Sequence, residues 1–366
     1  MSHLILAINP GSTSTKIGLF KDEVPVFTKT IEHDHAEIQK FPTISSQKDF
    51  RLGFVLEILE AEGINVQDLA GIVGIGGLLP PIETGGYRVT AKMVDILTNE
   101  VGIAAHASNL GAILAYLLVQ RAGCQAFIYD AVSAGILPDV ARMTGFPEIK
   151  RRSLSHTLNS RAQSIQYAKS INKGFDELNL IIAHIGGGVS LSVYEKGRLV
   201  DSVGDDLGPF SSERSGTAPL MEFVDFIFDN NMTKKDAQRR IRGGGGLKAH
   251  LGTASMKDAQ DMIDAGNNHA RLVVEAMCYG ISKAVATMAV AIKGRCDAII
   301  LTGGITRSAL VTGLITERVE FIAPVVIMPG EYELEALAAG CLRIITGQEK
   351  AKVLVGVDEE GIGVTE

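Results

Sequence analysis

The chain is 366 residues long, more than a single typical core supports, and its 46% hydrophobic content is enough to fill two. A formal net charge of -7 and a pI near 5.7 argue against nucleic acid as the main partner, since phosphate backbones are bound by concentrated positive charge. Cys124, Cys278, Cys296 and Cys341 lie scattered without paired spacing, which disfavours a disulfide framework or a zinc site and fits small buried hydrophobes in a reducing cytoplasm.

The opening segment lacks a basic n-region and its apolar run is broken by Asn9 and Pro10, so it does not read as a signal peptide. Leu4 to Phe20 reads as an apolar strand, a turn of small polar residues and a second strand. Phe54, Val55, Ile58 and Leu59 take helical spacing, and Ile72 to Ile75 and Ala126 to Tyr129 read as buried strands. Leu180 to Tyr194 then repeats the first grammar around Gly186-Gly187-Gly188, and Glu195-Lys196-Gly197 leads to another short strand. From Leu272 to Ile292 an apolar stripe at helical spacing carries Glu275 and Lys283, so it reads as a core helix and not as a membrane span. Ala298 to Thr302 is a buried strand running into Gly303-Gly304, with a helix expected beyond, and Leu334 to Ile345 is a final helix.

Strands alternating with helices predict an α/β fold, and the internal echo predicts two similar halves. The boundary is expected near Ala134. Residues 1–134 together with a C-terminal helical segment, 332–366, make the first domain and residues 135–331 the second.

No Gly-x-x-x-x-Gly-Lys-Ser/Thr loop is present, and Gly243 to Gly246 runs into Leu247-Lys248 without a hydroxyl residue to hold magnesium. Phosphate-loop candidates are spread along the chain instead: Asn9 to Lys16, His184 to Ser190, Gly243 to Gly246, and Leu301 to Ile305. Glycine lets a backbone approach a ligand, and free N–H and hydroxyl groups can meet phosphate oxygens. Either hairpin taken alone is equally an ordinary turn. Distributed together, the loops predict a cleft between domains.

Five segments make the pattern specific: Asn9-Pro-Gly-Ser-Thr-Ser-Thr-Lys16, Gly76-Gly-Leu-Leu-Pro-Pro-Ile82, His106-Ala-Ser-Asn-Leu-Gly111, Glu213-Arg-Ser-Gly-Thr217 and Leu301-Thr-Gly-Gly304. In this order, and over nearly the whole chain, they resemble the butyrate kinase branch of the acetate kinase family, within the actin, sugar kinase and heat-shock ATPase superfamily. The resemblance implies two duplicated ribonuclease H-like domains with an interdomain cleft, binding ATP and Mg2+. It implies reversible transfer of the ATP γ-phosphoryl group to a short-chain carboxylic acid, butyrate first, with acetate, propionate or a branched-chain acid as alternatives. It also implies a cytoplasmic homodimer or larger homo-oligomer without nucleic-acid or membrane partners.

Carried over by position, the resemblance assigns Asn9, Ser12, Ser14 and Lys16 to the phosphate-facing loop, with Asn9 helping to position the metal. His156 matches the histidine that stabilises the transferring phosphoryl group, and Arg214 the arginine that neutralises its oxygens. Asp130 and Glu333 match carboxylates near the metal, and His106 and Asn109 lie at the family's substrate-side His-x-x-Asn. His184, Gly186, Gly187, Gly188, Gly303 and Gly304 fall in the nucleotide loops. Taken singly, His156 would read as an ordinary satisfied histidine, Asp130 as a turn former and Arg214 as a surface ion pair. A carboxylate acceptor with a pKa of about 4 to 5 is already ionised at neutral pH, so this chemistry needs charge neutralisation and no general base, unlike sugar phosphorylation.

The sequence departs from that pattern at Ile75, where the branch has an arginine directly before Gly-Gly-Leu-Leu, and at Tyr332, where it has an asparagine. Gly204 to Phe210 is also compressed. These departures predict a slower kinase, an altered acceptor, or an ATP-binding homologue without catalysis.

Overall fold

The computed structural model describes residues 2–100, 103–358 and 360–366. It divides into two compact units, the first made of Met1–Ile136, Thr157–Asn159 and Tyr332–Glu366, the second of Leu137–His156 and Ser160–Glu331.

The first unit is built on β1 (Leu4–Pro10), β2 (Ser14–Lys21), β3 (Val24–Glu32), β4 (Gly71–Ile75), β5 (Gly86–Arg88) and β6 (Gln125–Tyr129), in the order β3-β2-β1-β4-β6-β5. β1 and β4 read as continuous apolar runs because both of their faces are covered, as parallel central strands require. β3 alternates exposed and half-buried residues because it is an edge, and Pro25 sits at its bulge where no ladder donor is needed. The helix Lys48–Ala61 buries Leu52, Val55 and Leu59 in this core. The last helix, Glu333–Ile345, lies across β1, β4 and β6 through Leu334, Leu337, Ala338 and Cys341.

The second unit carries β7 (Asn179–Ile185), β8 (Val189–Glu195), β9 (Arg198–Val203), β10 (Ala298–Gly303) and β11 (Val325–Pro329), ordered β11-β10-β7-β8-β9. Started from the outer strand of each antiparallel meander, the two sheets run 3-2-1-4-6 and 9-8-7-10-11. The strand directions also agree, two antiparallel pairings followed by two parallel ones. The sequence echo is therefore one fold unit built twice, with β5 added to the first.

Apolar spacing from Leu272 onward forms the helix Asn268–Ala289, which buries Val273, Val274, Met277, Cys278, Ile281, Val285 and Met288. By length and composition it could cross a membrane, but 50% of its apolar window is buried inside the protein, as in a core helix. All four cysteines are free, and burial pushes the thiols of Cys278 and Cys341 up to about 12, which leaves them inert. Past Gly303-Gly304 the chain makes a short 3-10 turn before the helix Ala309–Val319 starts at its Ser308 cap. Arg151 bonds Asp201 at 2.8 Å and the carbonyls of Ala141 and Ser202.

One close approach fixes the working edge of the first sheet. Gly74 of β4 and Gly111 of the helix Asn109–Val119 meet so tightly that a Cβ on Gly74 would lie 2.2 Å from the Gly111 carbonyl oxygen, and one on Gly111 2.4 Å from that of Ile75. Both obstacles are backbone and cannot swing aside. Gly74→Ala and Gly111→Ala are each expected to cost about 2–3 kcal/mol in urea unfolding, whereas Gly53→Ala, with open space around its Cβ, is expected to be neutral or stabilising.

Candidate active site

In the first unit the β1–β2 register pairs Asn9 with Lys16 across the hairpin, which puts both side chains on one face beside the tip. Asn9 donates to the carboxylate of Glu333, the first residue of the last helix, so two assigned residues far apart in sequence meet here. The hydroxyls of Ser12 and Ser14, the Lys16 ammonium, and the backbone N–H groups of Ser12 and Thr13 have no partner among the described residues.

Registers Ile8↔Gly74 and Ile75↔Tyr129 bring the ends of β1, β4 and β6 side by side, so Asn9, Ile75 and Asp130 stand along one sheet edge. Position 75, where the family pattern has an arginine, lies between them and is buried. Asp130 has a left-handed φ of 42° and its carboxylate accepts from the Gly85 N–H at 2.7 Å, so the turn-forming reading holds alongside any role near a metal. Asn109 is buried, accepts from Leu78 N–H at 2.9 Å and donates to the Ala104 carbonyl, which ties the Gly-Gly-Leu-Leu segment to the helix start. His106 is exposed beside it, its Nδ1 2.6 Å from Ser108 Oγ.

The second unit assembles the other assigned residues. Ser190 Oγ accepts from the His156 backbone N–H and lies 2.8 Å from His156 Nδ1. Giving its one proton to Nδ1 leaves Nε2–H as the ring's outward donor. The His156 ring stacks on His184, with centroids 3.9 Å apart and planes at 14°, and His184 Nε2 lies 3.4 Å from Glu331. His156 keeps an exposed edge, yet loss of hydration first, then His184 and Arg214, push its pKa down to about 3 against the pull of Glu331. It is therefore a neutral donor at physiological pH. Arg214 donates from Nε to Asp205 at 2.8 Å and is held beside Glu213, which leaves its fork ordered.

Gly187 and Gly188 at the β7–β8 tip also have backbone N–H groups without a partner among the described residues. Gly303 has a φ of 96°, and a Cβ there would lie 2.4 Å from the Ile185 carbonyl oxygen, whereas Gly304 is exposed with nothing within 4 Å. The first glycine serves the fold and the second leaves room for a ligand.

Sequence patterns alone gave no role to Glu331, Asp205 or Arg51, and placed Ser190 only at the end of a phosphate-loop candidate. Arg51 is fully buried and donates to the carbonyls of Gly11, Ser12 and Ser14, to Thr15 Oγ1 and to Gln47. Its spacing from Val55, Ile58 and Leu59 was the available signal, a cation on the apolar stripe of a helix. For a metal, the oxygen donors Asn9, Asp130 and Glu333 have the hard character magnesium prefers. Among the described residues no group of three or more His, Cys, Asp or Glu could hold a metal ion.

A meander and two parallel strands built twice is the actin-like ATPase fold. The acetate kinase of Porphyromonas gingivalis shares it at a TM-score of 0.78 with 17% identity, over 94% of this chain and all of that one, and that of Entamoeba histolytica at 0.75 with 15% identity, over 92% and 98%. The chain belongs to the acetokinase family, which residues 151–360 match. It is 42% identical to a probable butyrate kinase of Coprothermobacter proteolyticus over 96% of this chain and 99% of that one, and 42% identical to butyrate kinase 1 of Clostridium acetobutylicum over 95% and 98%.

Two outcomes follow for the site. Gly304→Val is expected to fold like the wild type but weaken ATP binding about tenfold or more in calorimetry, whereas Gly303→Val is expected to lower the melting temperature. Buried His33, bonded to Thr15 Oγ1, has its pKa lowered to about 4 by burial and Arg51. The unfolded chain therefore takes up more protons between about pH 6.5 and 4, and stability present above pH 6.5 is lost as pH falls through that window, by up to about 3 kcal/mol. Urea unfolding of His33→Gln across the same window should show a shallower loss.

Proposed function

We propose that the protein is a short-chain fatty-acid kinase that moves the γ-phosphoryl group of ATP reversibly to butyrate, giving butyryl phosphate and ADP. The observation that carries the reading is the 42% identity to a probable butyrate kinase across 96% of the chain.

The acceptor is an anion already, so its attack is limited by repulsion from the triphosphate and not by a proton. In this reading the Ser12–Thr13 N–H groups, Ser14 and Lys16 receive phosphate oxygens. His156 Nε2–H and the Arg214 fork meet the charge on the transferring group, donors held in place before the reaction begins. Asn9, Glu333 and Asp130 would hold magnesium, which when bound neutralises phosphate oxygens. Gly187, Gly188 and Gly304 leave the nucleotide room. His106 stands on the acceptor side, and Asn109 supports it by fixing the neighbouring backbone. We place the enzyme in the cytoplasm, where ATP is available and four free thiols stay reduced. We also propose self-association, supported by the helix Leu220–Asp229, none of whose residues is buried and which exposes Leu220, Met221 and Phe228.

The test is acyl hydroxamate formation with ATP and a panel from acetate to valerate and isobutyrate. Butyrate is expected to give the highest kcat/KM, and His156→Ala to lower kcat by about a hundredfold or more. Ile75→Arg is expected to raise kcat/KM for butyrate, because it adds a cation between Asn9 and Asp130. Normal ATP binding with no hydroxamate from either wild type or Ile75→Arg would refute the kinase reading.

A further inference from the structure

Behind the tip of the first hairpin sits a cation that no charge answers. Arg51 is 0% exposed, and its guanidinium is met by the carbonyls of Gly11 (2.9 Å), Ser14 (2.8 Å) and Ser12 (3.0 Å), by Thr15 Oγ1 (3.1 Å) and by the Gln47 amide oxygen (2.9 Å). No carboxylate pairs with it among the described residues. Burial lowers its pKa to about 10, so it stays charged at neutral pH. A buried unpaired cation is costly, and a turn of this length does not need one to close.

We propose that Arg51 is a positioning residue for phosphoryl transfer: it sets the polarity of the Gly11–Ser14 turn so that its N–H groups face the phosphates of ATP. The inference rests on the kinase reading above for the identity of the ligand. A trans peptide holds its C=O and the following N–H in opposite directions. A Gly11 carbonyl drawn to the guanidinium therefore sends the Ser12 N–H away from it, and a Ser12 carbonyl drawn the same way sends out the Thr13 N–H. These are the two backbone donors left without a protein partner. The remaining carbonyls are also engaged, Ser14's by the Gly11 N–H as well and Thr13's by the His33 N–H, so the turn cannot flip a peptide without losing several bonds. Each fixed peptide presents its positive end to the ligand, and the buried charge behind adds attraction at a distance that few water molecules screen.

Geometry also specifies arginine. Three carbonyls in a fan need several donors fixed in a plane, which a guanidinium has and an ammonium lacks. Arg51→Lys keeps the charge but loses the fan, and Arg51→Met loses both.

The experiment reads ATP affinity by calorimetry and acyl hydroxamate formation, with melting temperature as the control for folding. Arg51→Met is expected to lower kcat/KM for ATP by about a hundredfold while KM for butyrate shifts much less. Arg51→Lys is expected to recover less than a tenth of the loss, and methylguanidinium added to Arg51→Ala to restore activity in a saturable way. Should the Arg51 variants not fold, Gln47→Leu keeps the guanidinium but frees one side of it, and is expected to raise KM for ATP several-fold. Folded Arg51→Met or Arg51→Lys with wild-type ATP affinity, or an unchanged KM in Gln47→Leu, would overturn the proposal. Wild-type protein that binds ATP but makes no hydroxamate would fail the kinase reading alone, and the affinity measurements would still decide the role of Arg51.

Discussion

Two anions repel, and that constraint governs the site. A carboxylate approaching a triphosphate needs no proton removed, but it needs negative charge cancelled at short range and in a place where water does not dilute the cancelling groups. In the proposed reaction, groups of each unit would answer that need in different ways. The first unit offers backbone donors polarised from behind by Arg51, with the Lys16 ammonium beside them. The second offers a neutral histidine whose tautomer Ser190 selects and an arginine oriented by Asp205.

The fold puts these groups at strand ends because both units use the same sheet. An antiparallel hairpin supplies a tight turn whose peptides can be aimed, and parallel neighbours deliver other chain ends to the same edge. Gly74 against Gly111 sets how close the helix Asn109–Val119 comes to that edge, and through Asn109 where the Leu78 backbone stands. Ile75 lies at the end of β4 in this packing, between Asn9 and Asp130 along the edge.

Much of this is legible in the amino-acid sequence. Period-2 and period-3.6 patterns locate β1, β4, β6, β7, β10 and the helix Asn268–Ala289, and the repeated strand-turn-strand grammar announces the duplication. What stays hidden depends on contacts between distant residues. Nothing near Asn9 shows that Glu333 will meet it 324 positions later, and Ser190 reads only as the end of a phosphate-loop candidate until β7–β8 pairing sets it against His156. Arg51 is hidden differently. Its helical spacing already puts a cation among Val55, Ile58 and Leu59, but propensity treats arginine as a surface residue, and only the carbonyls of the hairpin turn explain its burial.

The central claim is that neutralising groups, and no proton acceptor, limit the reaction. The pH dependence of kcat with saturating ATP, magnesium and butyrate tests it most directly. With the acceptor's pKa at about 4 to 5 and that of His156 near 3, kcat should change less than about twofold between pH 5.5 and 8. A fall of about tenfold as the pH is lowered from 7.5 to 5.5, abolished in His156→Gln, would mean that a histidine titrating near its ordinary value of about 6.5 must be free to take a proton, and would contradict the account.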